Sequence, residues 1–219
     1  MDERTAPVLA GINLPDLARG PLVTVDIRQA AADHLVAWDA DQRARAIHEA
    51  GHVVVARLLG IGVEAVDIKG RHGGATYTTA VNDDVPETAT EAVALDHIAA
   101  ALGGHAAERL VMGGATLGCR SDLNNATGMA YDLLNAGAVS GAPLFNLYAV
   151  TGPLIPRSVI NQFGEIVTII LGEQRRRADA LVEAHRDALL GFAVRLHERR
   201  RLATPEEVDA ALRDAGLPL

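Results

Sequence analysis

The 219-residue sequence predicts a mainly α-helical domain with one small β-sheet, an α+β fold. Three observations predict it. Apolar residues recur at helical spacing through most of the chain, and beyond residue 41 only two short runs, at 63–68 and 74–79, have the alternation or β-prone composition of strands. A composition of 49% hydrophobic and 22% charged residues suits one compact unit with a sizeable core. The organisation read from this is an N-terminal extension over 1–41, of unassigned role, followed by a single domain over 42–219.

In the extension, Pro7, Pro15 and Pro21 punctuate the chain before a β-like run at Leu22 to Ile27 and a helix near Gln29 to Ala37. Trp38, the only tryptophan, reads as a packing anchor. The domain opens with a helix over Arg43 to Leu59, whose apolar side chains are Ile47, Val54, Val55, Leu58 and Leu59, with Gly60 as the residue that ends it. Gly51 costs that helix roughly 1 kcal/mol against alanine, so another segment is expected to approach it closely. Val63 to Ile68 alternates apolar and polar residues, Lys69 to Gly73 forms a turn with His72 as an ordinary turn residue, and Gly74 to Thr79 is a second strand. A helix over Val93 to Met112 follows. Another begins near Asp122, after Gly118 and Ser121 and ahead of Leu123, Met129, Leu133 and Leu134. From 159 to 200, Val167, Leu171, Gln174, Ala178, Leu181, His185, Ala188, Phe192 and Leu196 mark one buried stripe, with His185 a hydrogen-bonded member of it. Thr204-Pro205-Glu206-Glu207 reads as N-cap, proline at the first helical position and capping-box glutamate.

The chemistry is concentrated in His48-Glu49-Ala50-Gly51-His52. Residues four apart share one helix face, so both imidazoles can aim at one metal ion with Glu49 beside it. With 8 histidines in the chain, about 0.016 matches to this pattern are expected by chance. A catalytic zinc takes three protein ligands and keeps a position for water. Spacing leaves the third open among His105, Glu108 and Asp122, and Asp122 also suits the first turn of a helix. Cys119, the single cysteine, excludes an internal disulfide, and its thiolate is chemically competent as a ligand.

A net charge of −8 gives no electrostatic reason to expect nucleic acid or an anionic membrane as partner. The clusters Arg175-Arg176-Arg177 and Arg199-Arg200-Arg201 read as solvated helix faces, and the excess of arginine over lysine reads as base-composition bias. No apolar run of 18 residues and no secretory start are seen, so no membrane span is expected and the cytoplasm is the default compartment.

Beyond the five-residue motif, Ala46 to His52, Leu102-Gly103-Gly104-His105-Ala106-Ala107-Glu108-Arg109-Leu110, and Thr116-x-Gly118-x-x-Ser121-Asp122-Leu123 with Ala126-Thr127 resemble the peptidase domain of the FtsH family, peptidase family M41. His185 to Leu189, Leu196 and the Leu202 to Val208 helix start resemble its closing helices, so the likeness runs over about residues 42 to 214. It implies an M41-like helical fold with an edge hairpin, and assigns the third ligand to Asp122. It further implies Zn²⁺ held by His48, His52 and Asp122, with Glu49 as general base and Glu108 accepting a hydrogen bond from a ligand imidazole. Thr76, Tyr77 and Thr78 would lie on the strand that takes substrate.

The function so implied is a zinc-dependent endopeptidase that hydrolyses unfolded or extended polypeptides. No phosphate-binding G-x-x-x-x-G-K-[ST] loop is found, so an ATPase of its own is not expected. A homo-oligomer or a separate ATPase is the partner to consider. The alternative is a non-proteolytic peptide-binding or regulatory module that retains the zinc site, although such a module has no need of Glu49. Residues Gly137 to Gln162 resemble the family poorly, which leaves cleavage preference unassigned.

Overall fold

The computed structural model describes residues 40–68, 74–77, 89–147 and 155–219. The expected strand at Leu22, the helix near Gln29, Trp38, the turn with His72, and Thr78 lie outside the described residues. Those described form a mainly helical fold with one small antiparallel sheet.

Helix α1 (Ala40–Leu58) runs through the centre. Ala46, Ile47, Ala50, Val53, Val54, Val55 and Ala56 are all fully buried, so the helix is covered on several sides at once, which explains why its apolar pattern exceeds a single stripe. It ends as its sequence predicts. Ile61 donates from its backbone N–H to Ala56 O and Gly60 to Arg57 O, with Gly60 at φ +78°, the paired bonds of a left-handed glycine cap.

The chain then enters β1 (Val63–Asp67), which pairs antiparallel with β2 (Gly74–Tyr77). The register slips between Val63 and Ala65, an irregularity within the short ladder. A third strand, β3 (Arg201–Leu202), pairs with the other side of β1, giving the order β2-β1-β3. Two residues are too few to leave a periodic signal, so β3 was not expected from sequence. Among the described residues β2 is therefore an edge.

The expected helix over Val93 to Met112 is two helices, α2 (Glu91–Ala101) and α3 (Gly103–Met112), broken at Leu102. Thr90 caps α2 by accepting from Val93 N–H. The break has a physical reason in Gly103 and Gly104, poor helix formers that start α3 where it presses on α1. A Cβ on Gly51 would stand 2.3 Å from Gly103 O, and one on Gly103 would stand 2.6 Å from Gly51 O. The close approach expected at Gly51 is thus met by α3, backbone against backbone.

After a 3₁₀ turn (Leu117–Cys119), α4 (Arg120–Asn135) packs on α2, and α5 (Arg157–Ala184) packs on α2, α3 and α4. The stripe expected from 159 to 200 is interrupted at His185, where the backbone leaves helical geometry (φ −117°, ψ 29°) before α6 (Arg186–Arg199). His185 is half-buried at that joint, not a member of one continuous stripe. Phe163, Val167, Ala178, Phe192 and Leu196 on either side of it are buried. Each of these side chains larger than alanine is worth about 1.5–3 kcal/mol of transfer free energy.

Helix α7 (Pro205–Asp214) begins as the sequence predicts, with Thr204 Oγ1 accepting from Glu207 N–H at 3.3 Å. Glu207 Oε2 reaches back to Ala203 N–H at 2.7 Å, one residue before the cap itself. Arg57 of α1 binds Asp209 of α7 through two nitrogens at 2.9 and 3.1 Å. No helix among the described residues is long and apolar enough to cross a membrane.

Candidate metal centre

His48 and His52 project from the same face of α1, and the α1 to α3 contact sets what they meet. At Gly104, a Cβ would stand 2.6 Å from His52 Nε2 and 2.7 Å from His48 Cε1. Glycine is therefore required there for the two rings to occupy their positions. The rings sit edge to face, 4.7 Å between centroids.

Each imidazole is tied on its far nitrogen. His52 Nδ1 lies 2.9 Å from Ala100 O at the end of α2, and a carbonyl can only accept, so the hydrogen is on Nδ1. His48 Nδ1 lies 2.9 Å from Glu108 Oε1 of α3, a buried carboxylate that likewise accepts. Both Nε2 atoms are then free to present lone pairs inward.

Those two Nε2 atoms are 3.1 Å apart. Asp122 Oδ2, from the first turn of α4, completes the group at 3.1 Å from His48 Nε2 and 3.5 Å from His52 Nε2. Asp122 does not cap its helix: its carboxylate turns to the histidines.

Electrostatics give the same picture. Burial opposes charge on His48, yet hydrogen bonding to Asp122, Cys119 and Glu108, with the nearby Glu49 charge, pushes its pKa up to about 12. Burial likewise opposes charge on Asp122, but hydrogen bonding to His48 and His52 holds its carboxyl well below the usual carboxylate range. Glu108 is kept ionised against its own burial by bonds from His48 and Thr116. The pocket favours a positive charge between these groups, whether a proton on His48 or a metal ion.

The donor set can be tested against zinc. Ligand atoms at zinc's usual bond lengths in a tetrahedron stand about 3.3–3.6 Å apart, and the three separations observed are 3.1, 3.1 and 3.5 Å. With both histidines neutral and protonated on Nδ1, neither can donate to Asp122 Oδ2, and in that tautomer the buried oxygen faces two lone pairs with no donor among the described residues. Two imidazole nitrogens and one carboxylate oxygen are ligands that zinc takes. The residues fit the ion.

Glu49 is buried one position from His48, and burial pushes its carboxyl up against the pull of His52 and His48. Cys119 is buried, but its Sγ lies 3.8 Å from His48 Nδ1, the nitrogen facing away from Asp122. It forms a separate grouping with His48 and Glu108. His105 belongs to neither grouping; it is half-buried, and burial and then Arg109 lower its pKa. Thr76 and Tyr77 lie on the edge strand β2.

Three contributors were given no role at the site from sequence, although Gly104 and Thr116 lie in the motifs that carry the resemblance. Gly104 and the Ala100 carbonyl act through backbone position, which no residue type announces. Thr116 donates to Glu108 from both its backbone N–H and its hydroxyl, and a Thr-x-Gly pattern after a helix is the only signal it leaves.

Residues 35–141 match peptidase family M41. The chain is 32% identical over 195 residues to the ATP-dependent zinc metalloprotease FtsH 1 of Symbiobacterium thermophilum, covering 85% of this chain and 30% of that protein. It is 35% identical over 174 residues to FtsH 2 of Sphaerobacter thermophilus, covering 72% and 25%. Against FtsH of Thermus thermophilus it is 31% identical over 200 residues, covering 86% and 31%. The chain thus spans a quarter to a third of the length of these curated relatives.

Proposed function

This chain belongs to peptidase family M41 as an FtsH-like peptidase domain, and from that premise we propose that it is a zinc-dependent endopeptidase acting on unfolded or extended polypeptides. The observation that carries the proposal is the convergence of His48 Nε2, His52 Nε2 and Asp122 Oδ2, with both imidazole hydrogens committed to the opposite nitrogens. Those three residues would hold the ion.

Zinc, when bound, supplies a Lewis acid that polarises a carbonyl and makes water acidic near neutral pH. Glu49 is the general base. Its burial raises the carboxyl toward neutrality, which suits a group that must take a proton from water and hand it to the leaving amine. Glu108 and the Ala100 carbonyl orient the imidazoles by accepting their Nδ1 hydrogens.

Substrate is proposed to add as an extended strand along β2, past Thr76 and Tyr77 and into Thr78. Main-chain bonding of this kind needs an extended chain and places little demand on sequence. A proline at 76 or 78 would remove a donor from the ladder and weaken substrate use while zinc stays bound. These 219 residues hold no G-x-x-x-x-G-K-[ST] loop to couple cleavage to ATP, so hydrolysis by this polypeptide is proposed to be independent of nucleotide.

Metal analysis of the purified chain, paired with cleavage of a chemically unfolded protein, tests the proposal. One zinc per chain and cleavage abolished by a chelator and restored by zinc are expected. A zinc-replete protein that cleaves no unfolded substrate would falsify the peptidase assignment and favour a peptide-binding module.

A further inference from the structure

Thr116 stands at the junction of two structures that meet at the metal centre. Its backbone N–H donates to Glu108 Oε2, and its hydroxyl donates to Glu108 Oε1 at 3.2 Å. Oε1 is the same oxygen that accepts from His48 Nδ1 at 2.9 Å. Of the three hydrogen bonds that this buried carboxylate makes among the described residues, two therefore come from Thr116. The hydroxyl's lone pair meanwhile accepts from Gly118 N–H at 3.2 Å, capping the 3₁₀ turn Leu117–Cys119 that leads directly into Arg120 and Asp122.

We propose that Thr116 is a positioning residue of the metal centre, whose hydroxyl clamps the carboxylate behind His48 to the turn that delivers Asp122. The inference rests on the zinc reading of His48, His52 and Asp122. The physical argument is one of orientation. Without the hydroxyl one donor remains on each oxygen, and the carboxylate gains room to rock about its last side-chain bond, with His48 following it. The bifurcated arrangement at Oε1, with the backbone bond at Oε2, leaves Glu108 one orientation, and so fixes the direction of the His48 Nε2 lone pair. Capping by the same hydroxyl sets where α4 begins and hence where Asp122 Oδ2 stands. Loss of the hydroxyl loosens two ligands together, His48 through Glu108 and Asp122 through the turn. The backbone N–H bond to Glu108 does not depend on the side chain, so the hydroxyl's share can be isolated by substitution.

Thr116 is exposed, and valine there keeps its shape and the backbone donor, so the folding core is untouched. The test measures zinc affinity of the metal-free full chain by competition with a chromophoric chelator, and the visible spectrum of the cobalt-substituted protein. Circular dichroism and the metal-free melting temperature are recorded for each variant. Thr116→Val is expected to weaken zinc binding by about tenfold, the lower end of the usual cost of losing a group bonded directly to a ligand, since Thr116 acts one bond further out, and to shift the cobalt bands. Thr116→Ser, which keeps the hydroxyl, is expected to restore both. In a Glu108→Gln background, Thr116→Val should weaken zinc binding by less than it does in the wild type, because only the route through the capped turn is left to lose. Should Thr116→Val not fold, Thr116→Ala against Thr116→Ser gives the same comparison.

Wild-type zinc affinity and cobalt spectrum in Thr116→Val overturn the inference, as does a Thr116→Ser protein that binds zinc as weakly as Thr116→Val. A purely structural role would lower the melting temperature and leave zinc affinity and the cobalt bands unmoved, which also overturns it. Failure of the wild type itself to bind zinc is a different result: it removes the metal centre and this inference with it.

Discussion

Gly104 is seated directly against His52, so closely that a methyl group on its Cα would stand 2.6 Å from the Nε2 atom aimed into the site. The ring cannot retreat freely, because its other nitrogen is held by the Ala100 carbonyl at 2.9 Å. Gly104→Ala is therefore expected to impair the centre without unfolding the chain. Crowding of this kind costs about 1–3 kcal/mol, and zinc content in dialysed protein is expected to fall well below one per chain. Gly128→Ala is the control, since a Cβ there meets nothing within 4 Å. Full zinc occupancy in Gly104→Ala would show that the rings have room to move.

Gly51 sits on the same helix but meets backbone. A Cβ there would lie 2.3 Å from Gly103 O and 2.6 Å from Ala107 Cβ, so α1 and α3 would have to separate. Gly51→Ala gains roughly 1 kcal/mol of helix propensity and loses more by forcing the helices apart. The expected outcome is a lower melting temperature with and without zinc, read by thermal unfolding. A stabilised protein would mean that the helix contact is softer than its geometry implies.

Glu49 separates binding from chemistry. It belongs to neither metal-holding group, so Glu49→Gln is expected to keep zinc near one per chain. Its proposed proton transfer would be lost, an effect typically worth about 10²–10⁴-fold in rate. Zinc content and turnover on the same preparation check this. Undiminished turnover would require another base.

The pH dependence of the metal-free protein has a definite sign. His48 has its folded pKa raised above 6.5, to about 12, so its contribution to stability is complete below about pH 6.5 and is lost as pH rises toward the folded value. Asp122 is shifted the other way; its contribution is present above its ordinary value of 3.8 and is lost as pH falls through its depressed folded value. Metal-free wild type should therefore exceed metal-free His48→Gln in melting temperature by a margin that shrinks between about pH 6.5 and pH 9. Zinc binding runs oppositely, because the ion displaces the His48 proton: affinity is expected to rise about tenfold per pH unit for one proton released. Calorimetry in buffers of different ionisation enthalpy counts that proton, and a count of zero would contradict the coupling.

What sequence made legible follows the range of the forces involved. The i, i+4 pair His48 and His52, the Gly60 cap and the Thr204 N-cap are local, and each is found where its residues call for it. The close approach at Gly51 was also legible, because a mid-helix glycine needs a compensating contact, but not its partner, Gly103, 52 residues on. Helical periodicity ran through Leu102 and through His185, because apolar spacing persists across a break whose cause is packing between distant segments. The orientation of Asp122 was beyond spacing altogether. A first-turn aspartate suits the helix dipole equally well, and only the arrangement of α1, α3 and α4 turns it onto the histidines.

That orientation is the basis for the sharpest test of the ligand set. Asp122→Ala removes the only carboxylate in the group with both His48 and His52, along with the negative charge that offsets a divalent ion. Zinc and activity are expected to be lost together. Cys119→Ser should keep zinc, because Cys119 Sγ approaches His48 on Nδ1, 3.8 Å away, and the ion would be held at Nε2. His105→Ala should also keep zinc, since His105 joins neither group of candidate ligands. If zinc instead survives in Asp122→Ala and is lost in Cys119→Ser, the ion sits on the opposite side of His48, with Glu108 and Cys119 as its partners. That outcome would reverse the roles of the two His48 nitrogens and, with them, the assignment of Glu108.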